Sequence, residues 1–133
     1  MIRRSVETSS ATPPTAEERA PVDIAGFRSD LRAAGIEEIA DTLLATFLGD
    51  SPVRMGQLEE AVAAQDAKAI LSAAHAFKSG AGTIRATVLA ELLRDAEDAA
   101  RRGRRELSVM LEQIRIEYAA VRHQLTTLLR NAA

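Results

Sequence analysis

Apolar residues near the end of the chain recur at Leu107, Leu111, Ile114, Tyr118, Val121, Leu125 and Leu128, alternating steps of four and three. That spacing paints one stripe along a helix and is incompatible with a strand's period of two. Ile70, Ala74, Phe77, Ala81 and Ile84 repeat it, and Leu89, Leu92, Ala96 and Ala99 give a third stripe before Gly103. Stripes this narrow, joined by short connections, bury themselves by packing against antiparallel neighbours. Aromatic residues make up only 3% of the chain, so Ala, Leu, Ile and Val must fill the core, a helix-forming palette.

Upstream the same reasoning predicts shorter helices. Asp23 is placed to cap one carrying Ile24, Phe27 and Leu31, and Gly35 separates it from a second with Ile36, Ile39, Leu43 and Phe47. Ser51 followed by Pro52 reads as a new start, a capping hydroxyl before a first-turn proline, for a helix with Met55, Leu58 and Val62. Asp66 is expected to cap the next. The expectation is an all-α fold, an antiparallel up-down four-helix bundle with one or two additional N-terminal helices. Residues 1–21 hold many Ser, Thr and Pro and only Ile2 and Val6 as large apolar side chains, so they read as a flexible tail before a domain spanning 22–133.

Several functions are excluded or disfavoured by composition. A net charge of −2 gives no electrostatic reason to expect nucleic acid. With no cysteine, thiol catalysis, disulfides and thiolate metal sites are ruled out. No apolar run approaches the roughly 18 residues of a membrane span, and no apolar core follows Arg3 and Arg4 as a secretory signal requires. A cytoplasmic protein, monomeric as a single self-contained bundle, is expected. No carboxylate cluster suggests a metal site.

The stretch "AHAFKSGAGTI", Ala74–Ile84, carries the chemistry. With Ala74 and Phe77 at the centre of the buried stripe, His75 lies about 130° away, on the outward side. Lys78 stands one turn along, and Lys68, Ser72, Ser79 and Gly82 share the outward stripe. No metal ligand, nucleophile or carboxylate partner is near His75 in sequence. Gly80 and Gly82 cost a helix interior about 1 kcal/mol each relative to alanine, which suggests that something approaches the backbone closely. The bland reading is a loosely specified alanine-rich helix with a solvated histidine.

Other signals are weaker. His123 lies off the stripe of the last helix and reads as solvated. "SGAGT" lacks the Gly-Lys-Ser/Thr ending of a phosphate loop, and "RRGRR" at 101–105 reads as a solvated helix end whose cations suit the dipole.

The run His75-Ala76-Phe77-Lys78-Ser79-Gly80-Ala81 resembles the motif of histidine phosphotransfer (HPt) domains. Its flanks resemble them as well, from "FLGDSPVRMGQLEEAVAAQDAKAILSAAHAFK" through "LAELLRDAEDAARRG", where Glu97 stands at a family Leu-Glu position. The likeness covers residues 27 to 128. Two positions depart from it: Ser79 replaces the glycine after the lysine, and Arg85 replaces the glycine before the following helix, putting a bulky cation at a tight corner.

The resemblance implies that His75 accepts a phosphoryl group at Nε2 from a receiver-domain phosphoaspartate and passes it to another receiver. Lys78 would stabilise phosphoryl charge. Ser72, Ser79 and Gly82 would admit the receiver, with Phe27, Leu31 and Met55 as apolar docking residues. Response-regulator receivers or a hybrid histidine kinase would be the partners. Any Mg²⁺ would belong to the receiver, the chain itself having no cofactor and no autokinase activity. The competing readings are a helical adaptor that acts by docking alone and a detached histidine-bearing domain of a chemotaxis-type kinase.

Overall fold

A computed structural model describes residues 20–103 and 105–132. The tail expected over 1–21 therefore falls, up to residue 19, outside the described residues. Five α-helices follow in order: α1 Ile24–Ala33, α2 Ala40–Ala63, α3 Ala67–Thr83, α4 Thr87–Arg101 and α5 Leu107–Ala132, with a 3-10 turn at Glu37–Ile39 before α2. Among the described residues there is no strand. The helix α3 packs between α2 and α4, and α5 packs against both of those, so the four long helices enclose a single core.

The helix starts and stops follow local chemistry. Asp23 accepts from the Gly26 N–H and Asp66 from the Ala69 N–H, each satisfying a donor that has no partner inside its helix. The C-terminal end of α3 closes with Ala86 N–H on the Ala81 carbonyl and Arg85 N–H on that of Gly82. This motif requires a left-handed residue, and Arg85 supplies it at φ +62°. The corner stays tight despite its bulky side chain. The guanidinium bonds Asp30 at 2.8 and 3.0 Å and Asp23 at 3.1 Å, fastening α1 to the corner. Its hydrogen bonds to Asp30 above all push the Arg85 pKa further up. Val22 is buried beside it, with its backbone N–H and carbonyl both held by the Gln124 amide at 2.8 and 2.9 Å.

One expected boundary is absent. Ser51 and Pro52 do not start a helix; they lie inside α2. Leu44, Phe47, Ser51, Met55 and Leu58 form one unbroken buried stripe across the proline, so a break there would pull half of it from the core. Ser51 is buried and shares a 2.8 Å hydrogen bond with Tyr118 Oη, so it serves α5 instead of capping. Proline's missing N–H orphans the carbonyl of Leu48, and Arg122 Nη1 reaches from α5 to bond that oxygen at 3.3 Å.

The stripes expected for the later helices are buried largely as read. Ile70, Ala74, Phe77, Ala81 and Ile84 are all core residues, as are Leu111, Ile114, Tyr118, Val121 and Leu125. On α4 the packing turns slightly, burying Leu93 and leaving Leu92 half-buried. Phe77 anchors α3 between two rings, edge-on to Tyr118 at 5.4 Å and tilted against Phe47 at 6.4 Å. Burial of such a side chain is worth about 1.5–3 kcal/mol, which fixes the rotation of α3 about its axis. No described helix is long and apolar enough to cross a membrane.

Candidate functional site

With Phe77 pinned inward, His75 must face out. Its side chain is 69% exposed, on the part of α3 where Ser72, Ser79 and Gly82 are also exposed. A Cβ added at Gly82 would meet open space, and one at Gly80 would make only ordinary contact with the Phe47 ring. Neither glycine is demanded by packing within the fold.

His75 does have a carboxylate partner, 22 residues away in sequence. Glu97 on α4 lies across from it with Oε2 3.2 Å from His75 Nδ1, and its Oε1 lies 2.6 Å from Lys78 Nζ. The carboxylate is 8% exposed, so both oxygens are spent on these two groups. Ala96, Ala99 and Ala100 on the same helix are core residues, and their small size lets α4 approach α3 closely enough for Glu97 to reach. Sequence reasoning marked Glu97 only as part of a family likeness; its position directly after Ala96 on the buried stripe was the signal for a buried acid.

The arrangement has a definite chemical consequence. An imidazole donating its Nδ1 proton to a carboxylate keeps a lone pair on Nε2, which here points to solvent. The ring is held in one orientation, and positive charge appearing on it is met by Glu97. Lys78 is committed to Glu97 in this structure, and its side chain is 29% exposed.

Two expected docking residues are corrected. Phe27 and Met55 are 1% and 6% exposed, packed in the core, and offer a partner no surface. Phe27 is the buried residue by which α1 joins the core, and Met55 lies on the continuous stripe of α2. Leu31 is partly buried against the core. His123 is exposed on α5. The described arginines of the 101–105 stretch are exposed, and Arg101 pairs with Asp98 at 3.1 Å. Among the described residues no group of three His, Asp or Glu is placed to hold a metal ion.

The family model of the Hpt domain matches residues 42–131, which contain α2 from its first turn through nearly all of α5. The chain belongs to the Hpt domain family. The crystal structure of histidine-containing phosphotransfer protein B (HptB) from Pseudomonas aeruginosa PAO1 superposes with a TM-score of 0.76 at 31% sequence identity, covering 85% of this chain and 97% of that one. Comparison with curated protein sequences gives no match. Membership makes the chain a phosphotransfer protein of two-component phosphorelays, whose partners are receiver domains or histidine kinases.

Proposed function

We propose that this Hpt protein accepts a phosphoryl group on His75 Nε2 from the phosphoaspartate of one receiver domain and delivers it to the aspartate of another. The observation that carries the reading is the exposed imidazole whose Nδ1 is held by the buried Glu97 carboxylate. In the transfer the Nε2 lone pair attacks phosphorus, the bond from phosphorus to the aspartyl oxygen breaks, and the aspartate leaves as a carboxylate. The ring, still protonated at Nδ1, then carries positive charge beside Glu97. Onward transfer runs the same bonds in reverse with a second aspartate as nucleophile.

Lys78 stabilises the arriving phosphoryl charge in part by exchanging its Glu97 contact for a phosphoryl oxygen. The exposed Ser72, Ser79 and Gly82 leave room for the receiver to bring its phosphoaspartate in line with Nε2. Mg²⁺ is contributed by the receiver. The chain acts as a cytoplasmic monomer without autokinase activity, its long helices running up and down in antiparallel order. An adaptor that docks without accepting phosphate has no use for a buried acid spent on an exposed histidine, which disfavours that alternative.

The direct test is label transfer from phosphorylated receivers. Wild type should become labelled and His75→Gln should not, with helicity preserved because the side chain points outward, whereas His123→Gln should behave as wild type. The label should be lost in mild acid and survive alkali, as a phosphoramidate does. Undiminished labelling of His75→Gln would overturn the assignment.

A further inference from the structure

The two flanks of α3 beside His75 differ in character. Toward α4 the surface is closed, and its buried carboxylate is divided between His75 and Lys78. Toward α2 it is open. One hollow of about 300 Å³ runs past Ala76, Ser79 and Gly80, and another of about 510 Å³ runs past Ser72 and Ala76. Arg54 on α2 and Ala76 on α3, the residue after the acceptor, line both.

The Arg54 side chain is exposed and makes no hydrogen bond or ion pair among the described residues. Asp50 lies one turn back on the same helix and lines the first hollow without engaging it. Glu60 and Asp66 line the second hollow, but Glu60 is six residues along α2, about 9 Å of helix. Asp66 is occupied as the cap of α3. A donor arriving at His75 brings a dianionic acyl phosphate to a face where the ammonium of Lys78 is already engaged. The cation that lines both hollows is Arg54, its side chain uncommitted, and a guanidinium, planar and weakly hydrated, suits an interfacial carboxylate.

We propose that Arg54 is a specificity-determining residue: the receiver domain seats over the groove between α2 and α3 and places a carboxylate of its own against the Arg54 guanidinium. This rests on the phosphotransfer reading and adds to it the flank by which the donor approaches and the charge it carries there. Arg54 touches neither the phosphoryl group nor His75, so it governs encounter and seating, not the transfer step.

The test is single-turnover transfer from a panel of labelled receiver domains, following the rate against donor concentration. For a receiver that donates to wild type, Arg54→Ala should raise the half-saturating concentration about three- to tenfold and Arg54→Glu by more than about tenfold, since charge reversal adds repulsion. Arg54→Lys should recover part of the loss, and maximal rates should stay within about twofold. Raising salt from about 50 to 200 mM should weaken wild type more than Arg54→Ala. Labelling of His75 by phosphoramidate, a small donor that needs no docking surface, should be unchanged in all three variants. Arg130→Glu, the same charge change on α5, which lines neither hollow, is the control for net charge.

Wild-type saturation in Arg54→Glu overturns the proposal, as does an equal loss in Arg130→Glu. A loss confined to the maximal rate, or shared with phosphoramidate, overturns it too, by placing Arg54 in the chemistry. Failure of the parent reading is seen separately, as a wild-type protein labelled by neither receivers nor phosphoramidate.

Discussion

Glu97 Oε2 stands 3.2 Å from His75 Nδ1, so a carboxylate buried in the interface of α3 and α4 reaches out to an imidazole that is otherwise in solvent. Its other oxygen is taken by Lys78 at 2.6 Å. The acceptor, the cation and the acid thus form one unit in which each member's role depends on the other two. Packing explains why the unit holds: Phe77 fixes α3, and the alanines of α4 bring Glu97 within reach.

Replacing the acid should therefore slow transfer without abolishing it. Glu97→Gln keeps an acceptor for Nδ1–H but loses the negative charge that meets the developing imidazolium. A charge-assisted hydrogen bond exceeds a neutral one by about 1 kcal/mol, so a roughly fivefold to tenfold fall in single-turnover rate is expected. The phosphohistidine should also hydrolyse faster. A Glu97→Gln protein as fast as wild type would show that the carboxylate only packs.

The lysine is separable by stability as well as rate. In Lys78→Ala a nearly buried carboxylate loses its closest partner, which should cost about 1–2 kcal/mol in denaturant unfolding. In Lys78→Ala/Glu97→Gln much of that loss should return, because no unpaired charge is left behind. A double-mutant cycle reads the coupling directly. Transfer to Lys78→Ala should still be slower than wild type by about tenfold, the nucleophile being intact.

The helical stripes of α3 and α5 and the caps at Asp23 and Asp66 were legible because they depend on residues within a few positions of one another. The acceptor was legible for the same reason: Phe77 and His75 are two apart, so burying one exposes the other. Glu97 was not, because its pairing with His75 is set by how closely α4 lies against α3. Ser51 and Pro52 misled for a related reason. Their local chemistry favours a helix start, and only the contacts with Tyr118 and Arg122, supplied by α5, make them helix interior. Phe27 and Met55 were apolar residues assigned to a partner when the core already used them.

That long-range support for the proline is testable. Arg122→Ala removes the donor to the Leu48 carbonyl and to Tyr118 Oη, and should cost about 1–2 kcal/mol. Pro52→Ala restores a backbone N–H to that carbonyl and should stabilise the protein, since an interior proline costs a helix up to about 3 kcal/mol. In the Pro52→Ala background the Arg122→Ala loss should shrink. Equal losses in both backgrounds would mean that Arg122 acts elsewhere.

Burial pushes the Glu117 carboxyl on α5 up from its ordinary value. The folded protein then holds that proton to a higher pH than the unfolded chain does. Between the unfolded and folded values the native state binds more protons, so this group's contribution to stability falls as pH rises through that window and stays lost above it. Glu117→Gln should thus raise the thermal midpoint at pH 7, and the gain should vanish below about pH 4. A gain of equal size at both pH values would be a packing effect instead of a titration.

The clasp at the corner of α3 and α4 gives the last expectation. Arg85 carries a left-handed backbone, a cost of about 1–2 kcal/mol for a non-glycine residue, and its guanidinium returns part of that through Asp30 and Asp23. These are partly exposed pairs worth about 0.2–1 kcal/mol each, so Arg85→Gly should change global stability little while freeing α1. Hydrogen exchange should report this as lost protection in Ile24–Ala33 with α3 unaffected. Gly26→Ala should act more severely, because a Cβ there would collide with the Asp23 carboxylate and the Arg85 guanidinium, forcing the clasp open with the backbone strain retained. If Gly26→Ala leaves α1 protected, the clasp is not what holds that helix, and Val22 and Phe27 in the core are sufficient.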